Sequence, residues 1–525
     1  MSDLKTVGNS LEIPFRTIGE SFRYFIKHHP EKIAIVSVDQ GLSLNFSRLN
    51  ELVEHSARAM RELGVKPGDR VAILSAECVE KLILMFATWR CGACACPFHA
   101  EISSDHLKDI LKTINPALVV WRKDMNGHAL TDGLSCSTSE FSQLNESKGF
   151  FSFSDNFLPL PSCEKEYGPG DEGCIFATSG TTDRPKCVVW DHLGLWMCGL
   201  STISFTGMNK DDRILEYRTF SWLSPQIVTF MPFISLGLTI VLAQKFSRRH
   251  FFEWVKNHKI TVAAGVPTVI NLLLDHPVQV SKADTKTLRL MTASSAPLAA
   301  ERWRQFQDLY GVRLLQFYGA SEGGWLCGNR QDKCKIGTAG PPAPHMDLAI
   351  LDKDGNHCLP GEEGEISIRG LQTAIATVTA EGRWEDRSVF RLKERTRVGD
   401  LGFIDEDGFV VVTGRVKDVI LRGGVSIAPL EIDSTIVKHP LVYEAAAIGV
   451  PDTIWGEEVA CCVVLAKGAD INESEILNFA AELLPENKRP KSIFIFENLP
   501  KNQRGKVKRD ELKLICTGRI KEHLN

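Results

Sequence analysis

An alternation of short apolar strands with helices near the amino-terminal end constrains this chain most. "IAIVSV" (33–38) and "LSLNF" (42–46) read as strands about a turn at Gly41, and "RVAIL" (70–74) and "ALVVW" (117–121) as short buried strands. Leu49, Leu52, Val53, Met60 and Leu63 recur at helical spacing before Gly64, and "EKLILMFATW" (80–89) reads as a second helix. Strands this apolar along their length need cover on both faces, so the expectation is an α/β fold with helices on either side of a sheet.

The rhythm lapses over 124–170, a stretch rich in Ser, Asn, Pro and Gly that reads as an irregular surface excursion. It returns with "CIFA" (174–177), "CVVW" (187–190), "LRLMTA" (288–293) and "RLLQFYG" (313–319). From about 346 the pattern alternates polar and apolar between Asp-Gly and Pro-Gly turns, which predicts an antiparallel, barrel-like β subdomain. A second change at 414–418 opens a tail of mixed α+β character. Its predicted strands cover 445–450, 459–465 and 493–497, and its predicted helices 429–437 and 473–483. The expected division is a large domain over 1–415 and a small one over 416–525.

With 525 residues there is length for several cores, and a formal net charge of −4 carries no basic surplus for nucleic acid. Fifteen scattered cysteines and a polar opening stretch point to reduced thiols in a cytoplasmic protein. The longest apolar run, 227–243, is broken by Pro232 and Gly237 and reads as buried core, not as a membrane span. Cys91, Cys94, Cys96 and His99 lie close together, but no second ligand knuckle accompanies them, so buried free thiols are expected there and not a metal.

"ATSGTTDRPK" (177–186) has the composition of an anion-holding loop: Thr178, Ser179, Gly180, Thr181 and Thr182 offer hydroxyls and backbone N–H groups, and Lys186 a charge. It is not a Walker loop, and on spacing alone a polar surface turn fits equally.

In chain order there follow "DH" (Asp191, His192), "YGASE" (318–322), "GD" (399–400), "GRVKDVILRGG" (414–424) and "PKNQRGKVKRDEL" (500–512). Together these resemble the adenylate-forming superfamily of acyl-CoA synthetases, peptide-synthetase adenylation domains and luciferases, over roughly 15–512. The resemblance implies a large domain with a small mobile carboxyl-terminal one, and an ATP- and Mg²⁺-dependent acid–CoA ligase. A carboxylate attacks the α-phosphate of ATP to give acyl-AMP, and the thiol of coenzyme A then displaces AMP. It further implies that residues 178–182 and Lys186 hold phosphates, with Glu322 and Thr178 as magnesium ligands. Ser321 would lie beside the α-phosphate, Ser295, Ala296, Pro297, Tyr318 and Gly319 around adenine, and Asp400 and Arg415 at the ribose. Lys506 is the leading catalytic candidate, with Glu322, Ser321 and His192. The bland reading of 501–509, with its five Lys and Arg, is a solvated basic run. Lys417 matches the hinge and Gly424 the glycine beside the pantetheine arm, although Gly423–Gly424 also reads as a hairpin turn.

Two family glycines are replaced here, by Asp183 and Cys187; the turn is expected to form, with ATP affinity weakened. The acid pocket is expected from Phe220, Trp222, Gly323, Gly324 and Trp325, an apolar slot for an aromatic or medium-chain acid, with core packing as the alternative for Trp222. Rival readings are an acid–AMP ligase loading a carrier protein, a nucleotide-binding sensor without turnover, and a luciferase-like oxygenase.

Overall fold

The computed structural model describes residues 15–99, 102–125, 127–144, 168–178, 186–379, 383–501 and 507–524. Its apolar strands pair into two large sheets. The first runs in the order Gly324–Gly328, Arg313–Ala320, Leu290–Ala293, Val262–Ala263, Arg213–Glu216, Thr239–Leu242, Ile33–Ser37 and Leu42–Asn45, parallel throughout except at its two edges. The second runs Trp384–Asp386, Ala376–Val378, Lys186–Asp191, Glu172–Thr178, Cys94–Phe98, Arg70–Leu74, Leu118–Arg122 and Ser137–Phe141. The two strands nearest the amino terminus therefore leave their chain neighbours and complete the first sheet. Alternation within Arg70–Leu74 serves two cores: Val71 and Ile73 enter one and Ala72 and Leu74 another.

Two helices, Val79–Cys91 and His192–Thr206, are buried along almost their whole length. They share one core with Val71 and Ile73 of the second sheet and Ile214, Ile240 and Leu290 of the first. A helix that is apolar all round belongs in such an interior. The run 227–243 lies there too, as a π-helical turn Gln226–Phe230, a helix Met231–Leu236 and the strand Thr239–Leu242, with Gly237 (φ 65°) between the last two. Among the described residues no helix is long and apolar enough to cross a membrane.

Within the excursion over 124–170, the described residues 127–144 are more ordered than their composition predicts. They hold a short helix, Gly127–Thr131, and an edge strand, Ser137–Phe141, that pairs in parallel with Leu118–Arg122. Only Phe141 of that strand is buried, so its sequence lacks the apolar signature of an inner strand. Of the cysteine cluster, Cys94, Cys96 and the more distant Cys187 are buried in one core and Cys91 in another. Burial pushes the Cys187 thiol up to about 12.

Beyond 346, Asp347–Leu351, Gly364–Arg369, Thr396–Ile404 and Val410–Arg415 form an antiparallel sheet. The strand Ala376–Val378 departs from it to pair with Lys186–Asp191 of the second large sheet. A 3₁₀ turn, Val416–Asp418, leads into a last sheet with strands Val442–Asp452, Gly456–Leu465 and Ser492–Ile495, flanked by helices Pro429–Ile436, Glu473–Leu483 and Arg509–Leu524. That last helix was not foreseen, because the basic run before it masks its start. Tyr443, near the start of the first of these strands, donates from Oη to Asp275 (2.8 Å), and Arg302 lies over its ring while pairing with the same carboxylate.

Where His192–Thr206 crosses Met231, a Cβ built on Gly199 would lie 2.5 Å from the Met231 Cβ. Gly199→Ala is therefore expected to destabilise the protein by about 1–3 kcal/mol through overpacking, read as a lower urea midpoint with an unchanged m-value.

Candidate active site

Four neighbouring parallel strands of the first sheet end along one edge, where open α/β sheets present their binding loops. Arg213–Glu216 releases residues 217–222, Val262–Ala263 releases 264–268, and Leu290–Ala293 releases Ser294 to Pro297. Ala293 lies level with Gln316, so Tyr318 and Gly319 run on alongside Ser295 to Pro297 before the chain turns back into Gly324–Gly328. Ser295 has φ 73°, a left-handed conformation that a side chain adopts at some cost.

Three of the expected nucleotide residues meet directly. Asp400 and Arg415 face each other across antiparallel strands, with Arg415 Nε 3.2 Å from Asp400 Oδ1. The Tyr318 hydroxyl donates to the other oxygen, Oδ2. Burial, followed by the nearby Asp400 charge, holds the Tyr318 phenol well above its usual range, so it remains a donor. The aromatic ring and the carboxylate thus come from different sheets yet share one hydrogen bond.

The turn after Tyr318 is held from two sides. The indole N–H of Trp190, on the second sheet, donates to the Ser321 carbonyl at 3.2 Å, and the Ala374 N–H to the Glu322 carbonyl at 2.9 Å. A Cβ on Gly319 would meet the Gly324 carbonyl oxygen at 2.3 Å, and one on Gly324 (φ 63°) would meet Cys198 Sγ at 2.3 Å. The hairpin can close against the buried helix His192–Thr206 only because both are glycine.

Thr178 and Lys186 are register partners at the ends of two antiparallel strands. Ser179, Gly180, Thr181, Thr182 and Asp183 lie outside the described residues; Lys186 is exposed at the exit. Cys187, in place of the second family glycine, turns its thiol into the core and away from the loop.

Asp191 is wholly buried. It caps the helix His192–Thr206 by accepting from Gly194 N–H (2.8 Å) and pairs with Arg391 (2.5 and 2.6 Å), which also donates to the Thr373 carbonyl. Burial lowers the His192 imidazole to about 4, so it is neutral near pH 7 and contributes no positive charge. Arg391 and Trp190 have no local sequence signal: one lies 200 residues from its partner and the other reads as an ordinary strand residue.

The expected acid pocket divides. Phe220 is fully buried against Phe230, with centroids 5.9 Å apart, and is spent on the core instead of a pocket wall. Trp325 is also buried, its indole N–H donating to Thr202 Oγ1 at 2.8 Å. Trp222 is half-buried, whereas Gly323 and Gly324, on the hairpin after Tyr318, are buried.

In the small domain Lys417 lies in the 3₁₀ turn, its Nζ 3.7 Å from Asp418 and 3.6 Å from Asp510. Gly424 is exposed with φ 83°, and a Cβ there would meet nothing within 4 Å. In this arrangement backbone conformation, not a narrow channel, demands the glycine. Lys506 lies outside the described residues, and the residues on either side of 502–506 are held in place. Lys501 and Val507 form a bridge, the Lys508 N–H donates to Pro500 (2.9 Å), and Arg509 pairs with the half-buried Asp433 and donates to the Ala447 carbonyl at 3.1 Å.

Arg391→Met would leave the Asp191 carboxylate buried without its cation, a loss of about 3 kcal/mol in urea unfolding. Burial already raises the Asp191 pKa against the pull of Arg391. Without the arginine it rises further, and protonation then relieves part of the cost. The loss is therefore expected to be larger at pH 8 than at pH 5.

The comparisons with known proteins agree with this geometry. A family model described as AMP-binding enzyme matches residues 22–375, and one described as AMP-binding enzyme C-terminal domain matches 431–506. The chain is 28% identical to an oxalate–CoA ligase of Arabidopsis thaliana over 92% of its own length and 95% of that protein. It is 29% identical to an indoleacetate–CoA ligase of Aromatoleum aromaticum, over 92% and 95%. Among solved structures, ATP-bound MatB from Rhodopseudomonas palustris superposes with a TM-score of 0.86 at 27% identity, over 96% of this chain and 99% of that one. By sequence motifs, fold and family match alike, this chain belongs to the AMP-binding enzymes of the adenylate-forming superfamily.

Proposed function

We propose that the protein is an ATP-dependent acid–CoA ligase that makes an acyl-AMP and passes the acyl group to the thiol of coenzyme A. The observation that carries this reading is the junction of Tyr318, Asp400 and Arg415, which offers a planar aromatic surface beside a carboxylate. An ionised carboxylate has about four acceptor sites. Two are used here, and the others are available to the two ribose hydroxyls. Ser295, Ala296, Pro297 and Gly319 border the adenine, and Arg415 supports ribose and phosphate.

Thr178, Ser179, Gly180, Thr181, Thr182 and Lys186 would hold the phosphates, with Ser321 and Glu322 beside them. Glu322 and Thr178 would hold magnesium, which would offset phosphate charge. Because His192 is neutral, positive charge at the reacting centre is left to Lys and Arg. Lys506 neutralises the approach of the acid carboxylate to the α-phosphate, carried on a loop whose ends are braced on the small domain. Lys417, at the start of a small domain running from 416, is the hinge about which that domain withdraws Lys506 and brings Gly424 to the pantetheine arm. Trp222, Gly323 and Gly324 form the acid pocket, and the CoA-ligase relatives favour coenzyme A over a carrier protein as the acyl acceptor.

A panel of aliphatic, aromatic and dicarboxylic acids with ATP, Mg²⁺ and CoA, read by AMP release and thioester mass, tests this directly; no thioester from any acid overturns it. Lys506→Ala is expected to lower acid-dependent ATP–pyrophosphate exchange by at least roughly a hundredfold. Asp400→Asn is expected to raise the ATP KM by about tenfold or more, with the acid KM changed less than twofold.

A further inference from the structure

Lys81 lies on the helix Val79–Cys91 with its side chain fully buried, an unusual place for an ammonium. Its Nζ lies 2.6 Å from Ser221 Oγ, 3.2 Å from Thr219 Oγ1, 3.3 Å from the Ser75 carbonyl and 3.5 Å from Glu77 Oε2. That same Glu77 oxygen accepts the Phe220 N–H at 3.0 Å. One buried ion pair thus holds three consecutive residues, 219 to 221, by two hydroxyls and the amide between them. The helix and Glu77 follow the strand Arg70–Leu74 of the second sheet, whereas residues 219–221 follow Arg213–Glu216 of the first.

The next residue is Trp222, and the segment has no strand partners of its own. Upstream, Glu216 binds the Arg218 guanidinium (2.7 and 2.8 Å), and Arg218 Nη1 reaches Ser224 Oγ at 2.9 Å. Downstream, the Gln226 side chain donates to the Phe220 carbonyl. Between these ties the Trp222 N–H donates to the Thr219 carbonyl at 3.2 Å, so the backbone that the buried pair holds is the one that carries Trp222.

We propose that Lys81, with Glu77, is a positioning residue for the acid substrate. It fixes the backbone that presents Trp222 to the acid pocket, and so sets acid affinity without touching the nucleotide. Its location suits the task. A charge in the interior between two sheets has no water to turn to, and a hydrogen bond to a charged donor is stronger than a neutral one. The same arrangement makes acid recognition depend on the packing of the two sheets. The inference rests on the placing of Trp222 in the acid pocket.

The test compares wild type, Ser221→Ala and Lys81→Met. Ser221→Ala removes the shortest acceptor and leaves the ion pair in place, so it remains informative if Lys81→Met fails to fold. Hydrogen exchange needs no substrate: in Ser221→Ala, amides of a peptide spanning 219–226 are expected to exchange roughly tenfold faster, with peptides around Asp400 unchanged. In acid-dependent ATP–pyrophosphate exchange, the acid KM is expected to rise roughly tenfold while the ATP KM stays within about twofold. Unchanged exchange over 219–226, or acid and ATP KM values that move together, overturns the proposal. Wild-type protein that shows no pyrophosphate exchange with any acid overturns the ligase assignment instead, a result separate from the amide protection at 219–226.

Discussion

Two helices without a polar face lie between two large sheets, and the rest of the molecule is arranged around that constraint. Val79–Cys91 and His192–Thr206 are covered on all sides, so any polar group they carry must find its partner inside the protein. Lys81 finds Glu77, Thr219 and Ser221; Ser201 donates to Gln372 Oε1 at 2.8 Å; Thr202 donates to the Ile227 carbonyl at 2.7 Å and accepts from Trp325. Asp191, at the head of the second helix, takes Arg391. Two of these pairings reach elements that border the candidate site: Lys81 ties down residues 219 and 221, and Thr202 holds Trp325 of the hairpin that follows Tyr318. Satisfying the interior and shaping the site are therefore one physical problem.

Three sheets contribute to that site and none completes it. The first supplies Tyr318, Ser321 and Glu322, the second Trp190 and the strand ends Thr178 and Lys186, and the antiparallel sheet Asp400 and Arg415. Bonds from Trp190 to Ser321 and from Tyr318 to Asp400 fix these contributions against one another. Both ties are partly buried, and hydrogen bonds sheltered from solvent are electrostatically stronger than in water.

Much of the secondary structure was legible in the chain. The helical spacing of Leu49, Leu52, Val53 and Met60 matches a helix over Phe46–Glu62, and the helices predicted at 429–437 and 473–483 are found as Pro429–Ile436 and Glu473–Leu483. The edge strand Ser137–Phe141 was missed because a strand with one buried residue carries almost no apolar signal. The motifs around Tyr318, Asp400 and Arg415 singled out residues that do meet. Phe220 shows the opposite case: an aromatic residue in the pocket motif whose ring is used by the core.

What the sequence alone determined is the type and approximate extent of most elements, because periods of two and 3.6 residues are properties of neighbouring positions. It also determined the family, through five short motifs in a fixed order. Tertiary structure alone decided partnership. Ile33–Ser37 could pair with any buried parallel strand, and its place beside Thr239–Leu242 follows from the packing of the whole sheet. Likewise Lys81 is an unremarkable lysine in a helix until Ser221, 140 positions away, is brought to it. Periodicity specifies which face of an element avoids water; only the folded chain specifies what lies against that face.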